Sequence, residues 1–344
     1  MKIRHIITAL VGTVFITLGG HSFAAPSKTL NLFCWSEYIP QGVLDGFTKE
    51  TGIKVNYETY GSNEEMLAKL LPSKGKYDLV VPSEYTVEAL VKRNKLEALD
   101  MAKIPNFKNI GSEFKGFPFD PENKYSIPYM TGSVGIVLNT DKVKDDIKGY
   151  KDVFQPKFKN RIVVLNDNRE IVSWALSTNG IGINDVTPAT IEKIKPTLKE
   201  WLPLVKVYDS DSPKTALLNG DVDLGVVWGG EAAILYAQDK KFKYILPAEG
   251  AHRFIDNISI PAGAPHPDAA MAFINYILRP EVSKLISDAF PYTNPNVEAQ
   301  KLLSPEQLAN FASYPTGNPK LEIFRDIGKN ATVIDKLMTD LKSH

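Results

Sequence analysis

The sequence predicts two α/β lobes, each with a mixed, mainly parallel sheet flanked by helices. Three observations carry that expectation. The chain has 344 residues, and at roughly 150 residues per domain this is enough for two separate cores. Short apolar runs alternate with amphipathic stretches along most of the chain, the pattern of strand–helix units. A stretch rich in Pro, Gly, Asn and Phe (107–128) interrupts that alternation, which then restarts. The balance of 40 Lys+Arg against 40 Asp+Glu argues against a nucleic-acid partner. A single cysteine excludes an internal disulfide and any multi-cysteine metal site.

Taken in order, residues 1–24 read as a signal peptide. Lys2 and Arg4 precede a largely apolar run, Ile6–Gly20, and Ser22-Phe23-Ala24 supplies small residues for cleavage near Ala24 or Ala25. The run falls short of the ~20 residues that a membrane span needs. Cys34 lies too far downstream for a lipoprotein site and reads as a buried strand residue. Losing this segment removes two bases and no acid, which leaves a slightly acidic exported protein.

Thr29–Cys34 reads as the first strand, Gly42–Glu50 as the helix after it, and Lys54–Thr59 as the second strand. Asn63–Leu71 follows as a helix, with Glu64 and Glu65 in the first turn, where the dipole favours acids. Tyr77–Pro82 is a third strand stopped by its proline, and Thr86–Arg93 a helix. Two extended runs, Tyr125–Met130 and Ser133–Asn139, lead out of the irregular stretch into a second lobe. There the predicted series is strand Arg161–Leu165, helix Glu170–Ser177, helix Pro188–Trp201, strand Val205–Tyr208, helix Pro213–Leu218, strand Leu224–Trp228 and helix Glu231–Gln238. Ile258–Pro261 and helix Asp268–Leu278 return the chain to the first lobe, and Pro280 punctuates the next helix. The expected division is residues 25–133 plus 255–302 in lobe I and 134–254 plus 303–344 in lobe II, with a tail that packs across both.

Ligands of open α/β sheets bind beyond the carboxyl ends of strands. The predicted strand ends carry Trp35, Ser36, Glu37 and Tyr38; Ser83 and Tyr85; Asp167 and Glu170; Ser210; and Trp228 and Glu231. Phe254 and Asp256 stand just before the returning strand. This set is acidic and aromatic, which suits a cationic, partly aliphatic ligand. Carboxylates take ammonium donors in charge-assisted hydrogen bonds, and aromatic faces cover methylene stems and attract the cation. Each residue also has an ordinary structural reading: the aromatics as packing, Asp167, Glu170, Glu231, Ser83 and Ser210 as helix-start residues, Asp256 as a partner of Arg253. Catalytic patterns are poorer. His252, His266 and His344 lack metal-ligand spacing, no nucleophile elbow or phosphate loop is present, and Gly132-Ser133-Val134-Gly135 matches no fingerprint. No catalytic residue, metal or cofactor is expected.

At these residues the chain resembles the bacterial spermidine/putrescine-binding proteins, the periplasmic receptors of polyamine ABC transporters. The likeness spans essentially the whole mature chain. It is carried by Trp35-Ser36-Glu37-Tyr38, Phe47–Val55, Asp78–Ser83, Tyr125–Tyr129, Asp167–Glu170, Leu224–Gly230, Ile274–Pro280 and Thr293–Asn296. The resemblance implies a type II periplasmic binding protein fold with a ligand cleft between the lobes. It implies an aromatic box of Trp35, Tyr38, Tyr85, Trp228 and Tyr292, and ammonium-holding carboxylates at Glu37, Asp167, Glu170 and Asp256. Ser36, Ser83 and Ser210 would be lesser polar contacts. Two positions depart from the spermidine-type pattern: Phe254 replaces a tryptophan, and Glu231 is an acid as in putrescine-type members. Around Phe324-Arg325-Asp326 the match is loose, and no ligand contact carries over. The implied protein is a monomer that takes putrescine, spermidine or both to an inner-membrane permease. A polyamine sensor docked on a membrane signalling protein, or a receptor for another cationic solute, fits the same residues.

Overall fold

The structure, a computed structural model, describes residues 28–342; the expected signal peptide lies outside them. Strands β1 (Thr29–Trp35), β2 (Lys54–Tyr60) and β3 (Leu79–Val80) run parallel in the order β2–β1–β3. At the far side β5 (Ile162–Val164), β6 (Val205–Tyr208) and β7 (Leu224–Trp228) are parallel in the order β7–β5–β6. Between the two sets stand β4 (Ser126–Asn139) and β9 (Ala251–Ser259), antiparallel to each other. β8 (Phe242–Ile245) adds to β4, and β10 (Leu321–Glu322) adds to β9.

The expected strand–helix alternation is present, for identifiable local reasons. In β1, Leu30, Leu32 and Cys34 alternate into the core, the period-two signature of a strand. Helix Gln41–Thr51 buries Val43, Leu44 and Phe47 on one face and stops at Gly52, whose φ of 74° makes the left-handed cap. Ser62 caps helix Asn63–Leu70 by accepting from the Glu65 N–H. Helix Pro188–Trp201 starts behind Thr187 and buries Ile191, Ile194, Leu198 and Trp201 at helical spacing.

The centre of the molecule differs from the reading above. The two extended runs are one strand, β4, whose residues change partners along its length. Ser126–Ser133 pair with β9, and Val134–Leu138 pair with β7. The register slips between Pro128 and Met130, as expected where proline removes a ladder donor. β9 begins at Ala251 rather than near Ile258 and so also runs between the two sheets. β8 is a further strand that the sequence reading did not anticipate.

The tail fastens both sides. β10 joins β9, and Arg325 grips Glu88 of helix Glu84–Lys92 through two 2.9 Å hydrogen bonds. The last helix, Ala331–Lys342, packs on helix Pro188–Trp201. Where β1, β3, β5, β6 and β7 end, their following residues converge on one cleft.

Candidate functional site

Every residue nominated from the strand ends lines a single cavity. Trp35 ends β1, and Ser36, Glu37 and Tyr38 follow it; Ser83 and Tyr85 follow β3; Asp167 and Glu170 follow β5; Ser210 follows β6; Trp228 ends β7, and Glu231 stands in the first turn of the helix after it. Phe254 and Asp256 come from β9, and Tyr292 from the segment after helix Pro280–Ala289.

The aromatic residues form a continuous belt. Trp35 lies 6.2 Å from Tyr38, and Tyr38 lies 5.8 Å from Tyr292. Phe254 meets Tyr292 edge-on at 5.8 Å and Trp228 at 5.5 Å. The indole N–H groups are spent on the frame: Trp35 donates to the Val81 carbonyl at 2.8 Å and Trp228 to the Ser210 carbonyl at 2.9 Å. The rings are therefore held by bonds outside the belt. Gly230 permits the approach of Tyr292, because a Cβ there would come within 2.4 Å of the ring.

Asp256 is 3% exposed and sits behind this belt. Tyr38 Oη donates to one oxygen at 2.5 Å and Ser83 Oγ to the other at 2.6 Å. Burial pushes its carboxyl up to about 7, against the opposing pull of those two hydroxyls. No ion pair with Arg253 forms. Asn63 sets Ser83 in place by donating to its Oγ at 3.0 Å and to Tyr85 Oη at 3.0 Å.

On the opposite side, Asp167 caps helix Asn168–Thr178 by accepting from the Arg169 and Glu170 N–H groups at 2.8 and 3.1 Å. Capping and cavity lining thus coincide in one residue. Burial, with Glu170 and Glu64 nearby, raises its carboxyl to about 7. Glu170 is engaged by the protein itself: His252 Nδ1 lies 2.5 Å from Oε1, and Trp174 donates to Oε2 at 3.3 Å. The other imidazole nitrogen, Nε2, meets Glu84 Oε1 at 2.9 Å. Burial opposes a charge on His252, but the two carboxylates outweigh it and push the imidazole up to about 10. Its ring stacks on Phe324 at 3.6 Å. Glu84 also accepts from the N–H groups of Ile255 and Phe324, which joins helix Glu84–Lys92, β9 and the tail in one buried network.

At the remaining end, Glu37 and Glu231 face a cation from the chain. Lys214 Nζ lies 3.0 Å from Glu37 Oε2 and 3.0 Å from each Glu231 oxygen. Burial disfavours charge on both partners and raises Glu231, but the carboxylates outweigh it at Lys214, whose pKa also rises. With Nζ equidistant from both Glu231 oxygens, the geometry is that of an ion pair. Glu37 reaches it from left-handed backbone, φ 50°, an uncommon conformation for this residue type. Ser36 Oγ donates to Asp211 across the same gap, and Ser210 Oγ is buried without a hydrogen-bond partner among the described residues.

The sequence reading missed His252, Phe324, Asn63, Gly61, Asp211 and Phe290 as lining residues and Lys214 as their neighbour. His252 had a usable signal. His252, Phe254 and Asp256 are alternate residues, and a strand drawn from Ala251 puts all three on one face. Lys214 had none, because a lysine opening a short helix is ordinary surface chemistry.

Comparison with known proteins identifies the family. The profile of a family described as bacterial extracellular solute-binding protein matches residues 43–316. A spermidine/putrescine-binding periplasmic protein of Salmonella typhimurium is 37% identical, over 99% of this chain and 98% of that protein. A putrescine-binding periplasmic protein of Escherichia coli K12 is 32% identical, over 92% and 91%. Among solved structures, a putative spermidine/putrescine ABC transporter protein from Listeria monocytogenes superposes with a TM-score of 0.89. It is 32% identical, with 92% of this chain and 99% of that one covered.

Proposed function

This chain belongs to the bacterial extracellular solute-binding proteins, and we propose that its solute is a polyamine, putrescine or spermidine, captured between two lobes. The observation that carries the reading is the cage around Asp256. A buried carboxylate, oriented by Tyr38 and Ser83, lies behind a belt of aromatic rings, with Asp167 lining the same cavity. An ammonium at Asp256 gains a charge-assisted hydrogen bond, the rings cover the methylene stem, and exclusion of water strengthens both contacts. A second ammonium on the same stem reaches toward Asp167.

In this reading residues 1–24 direct export and are removed, and the monomer works in the periplasm. It hands its ligand to the membrane permease of an ABC transporter, binding and releasing without making or breaking a bond. The lobes divide where β4 and β9 pass between the sheets, with 25–133 and 255–302 on one side and 134–254 and 303–344 on the other. The test is titration calorimetry with putrescine, spermidine, cadaverine and agmatine. Binding of at least one at sub-millimolar concentration is expected; no binding by any of them overturns the reading.

A further inference from the structure

We infer that Lys214 is a tethered ammonium that fills the Glu37–Glu231 end of the cleft and limits the ligand to two charges. This rests on the polyamine reading and deepens it. Six carboxylates line the cavity: Glu37, Asp167, Glu170, Asp211, Glu231 and Asp256; Asp211 is exposed and accepts from Ser36 Oγ. They are not equally available. Glu170 is held by His252 and Trp174. Glu231 gives both oxygens to Lys214 Nζ, and Glu37 gives one, all at 3.0 Å; Ser212 Oγ completes the shell at 3.0 Å. The lysine side chain is only 14% exposed and Glu231 only 5%, so this is a desolvated contact, not a surface pair that solvent screens.

Asp256 and Asp167 remain. Asp256 accepts from two neutral hydroxyls and Asp167 from backbone N–H groups; neither forms an ion pair with a basic side chain among the described residues. Two unexposed carboxylates without a cationic partner match a ligand with two ammonium groups. A third ammonium would have to settle where Nζ already lies, against a like charge. Lys214 is thus a specificity residue: it favours a diamine over a triamine through the space and charge it occupies.

The experiment is calorimetry with putrescine and spermidine on the wild type, Lys214→Met and Lys214→Gln. Met replaces the lysine stem as far as Cε and removes the ammonium and its charge. Lys214→Met is expected to shift the affinity ratio toward spermidine by about ten- to a hundredfold, the worth of one charge-assisted hydrogen bond. Lys214→Gln, which also removes the charge, is expected to shift the ratio in the same direction. An unchanged ratio in a Lys214→Met protein that still binds both ligands overturns the inference while sparing the polyamine reading. A wild type that binds neither ligand overturns both. If circular dichroism shows Lys214→Met unfolded, Lys214→Gln decides: a shift of the ratio toward spermidine supports the assignment, and an unchanged ratio overturns it.

Discussion

Acidification should release the ligand, and the buried acids set by how much. Burial pushes Asp256 and Asp167 each up to about 7, whereas ligand ammonium groups, like lysine near 10, stay protonated throughout the range. A carboxylate must be ionised to hold an ammonium, so binding displaces whatever protons these acids carry. For a group titrating at about 7, the ionised fraction falls from about one half at pH 7 to about one thirtieth at pH 5.5. That is a loss of about 15-fold in affinity for one carboxylate and about 200-fold for two acting independently. The sign follows from the raised pKa: affinity climbs as pH rises toward 7 and levels off above about pH 8. Calorimetry at pH 5.5, 7 and 8.5 measures the affinities. Repeating the titration at pH 7 in buffers of different ionisation enthalpy counts the protons released, about half of one per carboxylate. An affinity that is flat from pH 5.5 to 7, with heats independent of buffer, would refute the idea that these acids are held protonated in the ligand-free cleft.

Two substitutions probe the same walls. Asp256→Asn keeps the shape and removes the charge, and should weaken ligand binding by about 2–5 kcal/mol, the range for unpairing a desolvated ammonium; calorimetry reads it, and a loss no larger than that of an exposed-residue control returns Asp256 to a structural role. His252→Gln strips the imidazolium from between Glu84 and Glu170 and should lower stability by about 3–5 kcal/mol, measured as a shift in the denaturant midpoint. Because the folded pKa of His252 is raised to about 10, its contribution is full below its ordinary value near 6.5 and fades as pH rises through 10; a wild type whose stability does not fall over that window would count against the charged form.

The parallel strands and the helices after them were legible because each carries its own local signal. Leu30, Leu32 and Cys34 alternate, Ser62 caps, and Ile191, Ile194 and Leu198 recur at helical spacing. Strand-end logic then gathered residues as distant in sequence as Trp35 and Asp256 into one cavity, and the resemblance added Tyr292. The crossing strands were harder. β9 opens with His252 and Arg253, whose polarity reads as loop, yet His252 is only 4% exposed because Glu84 and Glu170 take both ring nitrogens. Its burial depends on partners 168 and 82 residues away, which no local window holds. The same is true of Lys214, whose meaning comes from Glu37 and Glu231. Phe324, set aside where the resemblance grew loose, lines the cleft because β10 delivers it there.

The change of partners within β4 has a mechanical consequence. The strand does not stop at the boundary between the sheets, so any rotation of one side against the other is absorbed as torsion along β4, β9 and the tail. The ladders on either side of Ser133 and Val134 need not come apart. Gly132 and Gly135 flank this point, and each lies flush under an aromatic ring: a Cβ would come within 2.6 Å of Phe254 at one and 2.5 Å of Tyr244 at the other. In such a rotation the Gly-Ser-Val-Gly run that matched no binding fingerprint would act as an axle, with ring planes as its bearings.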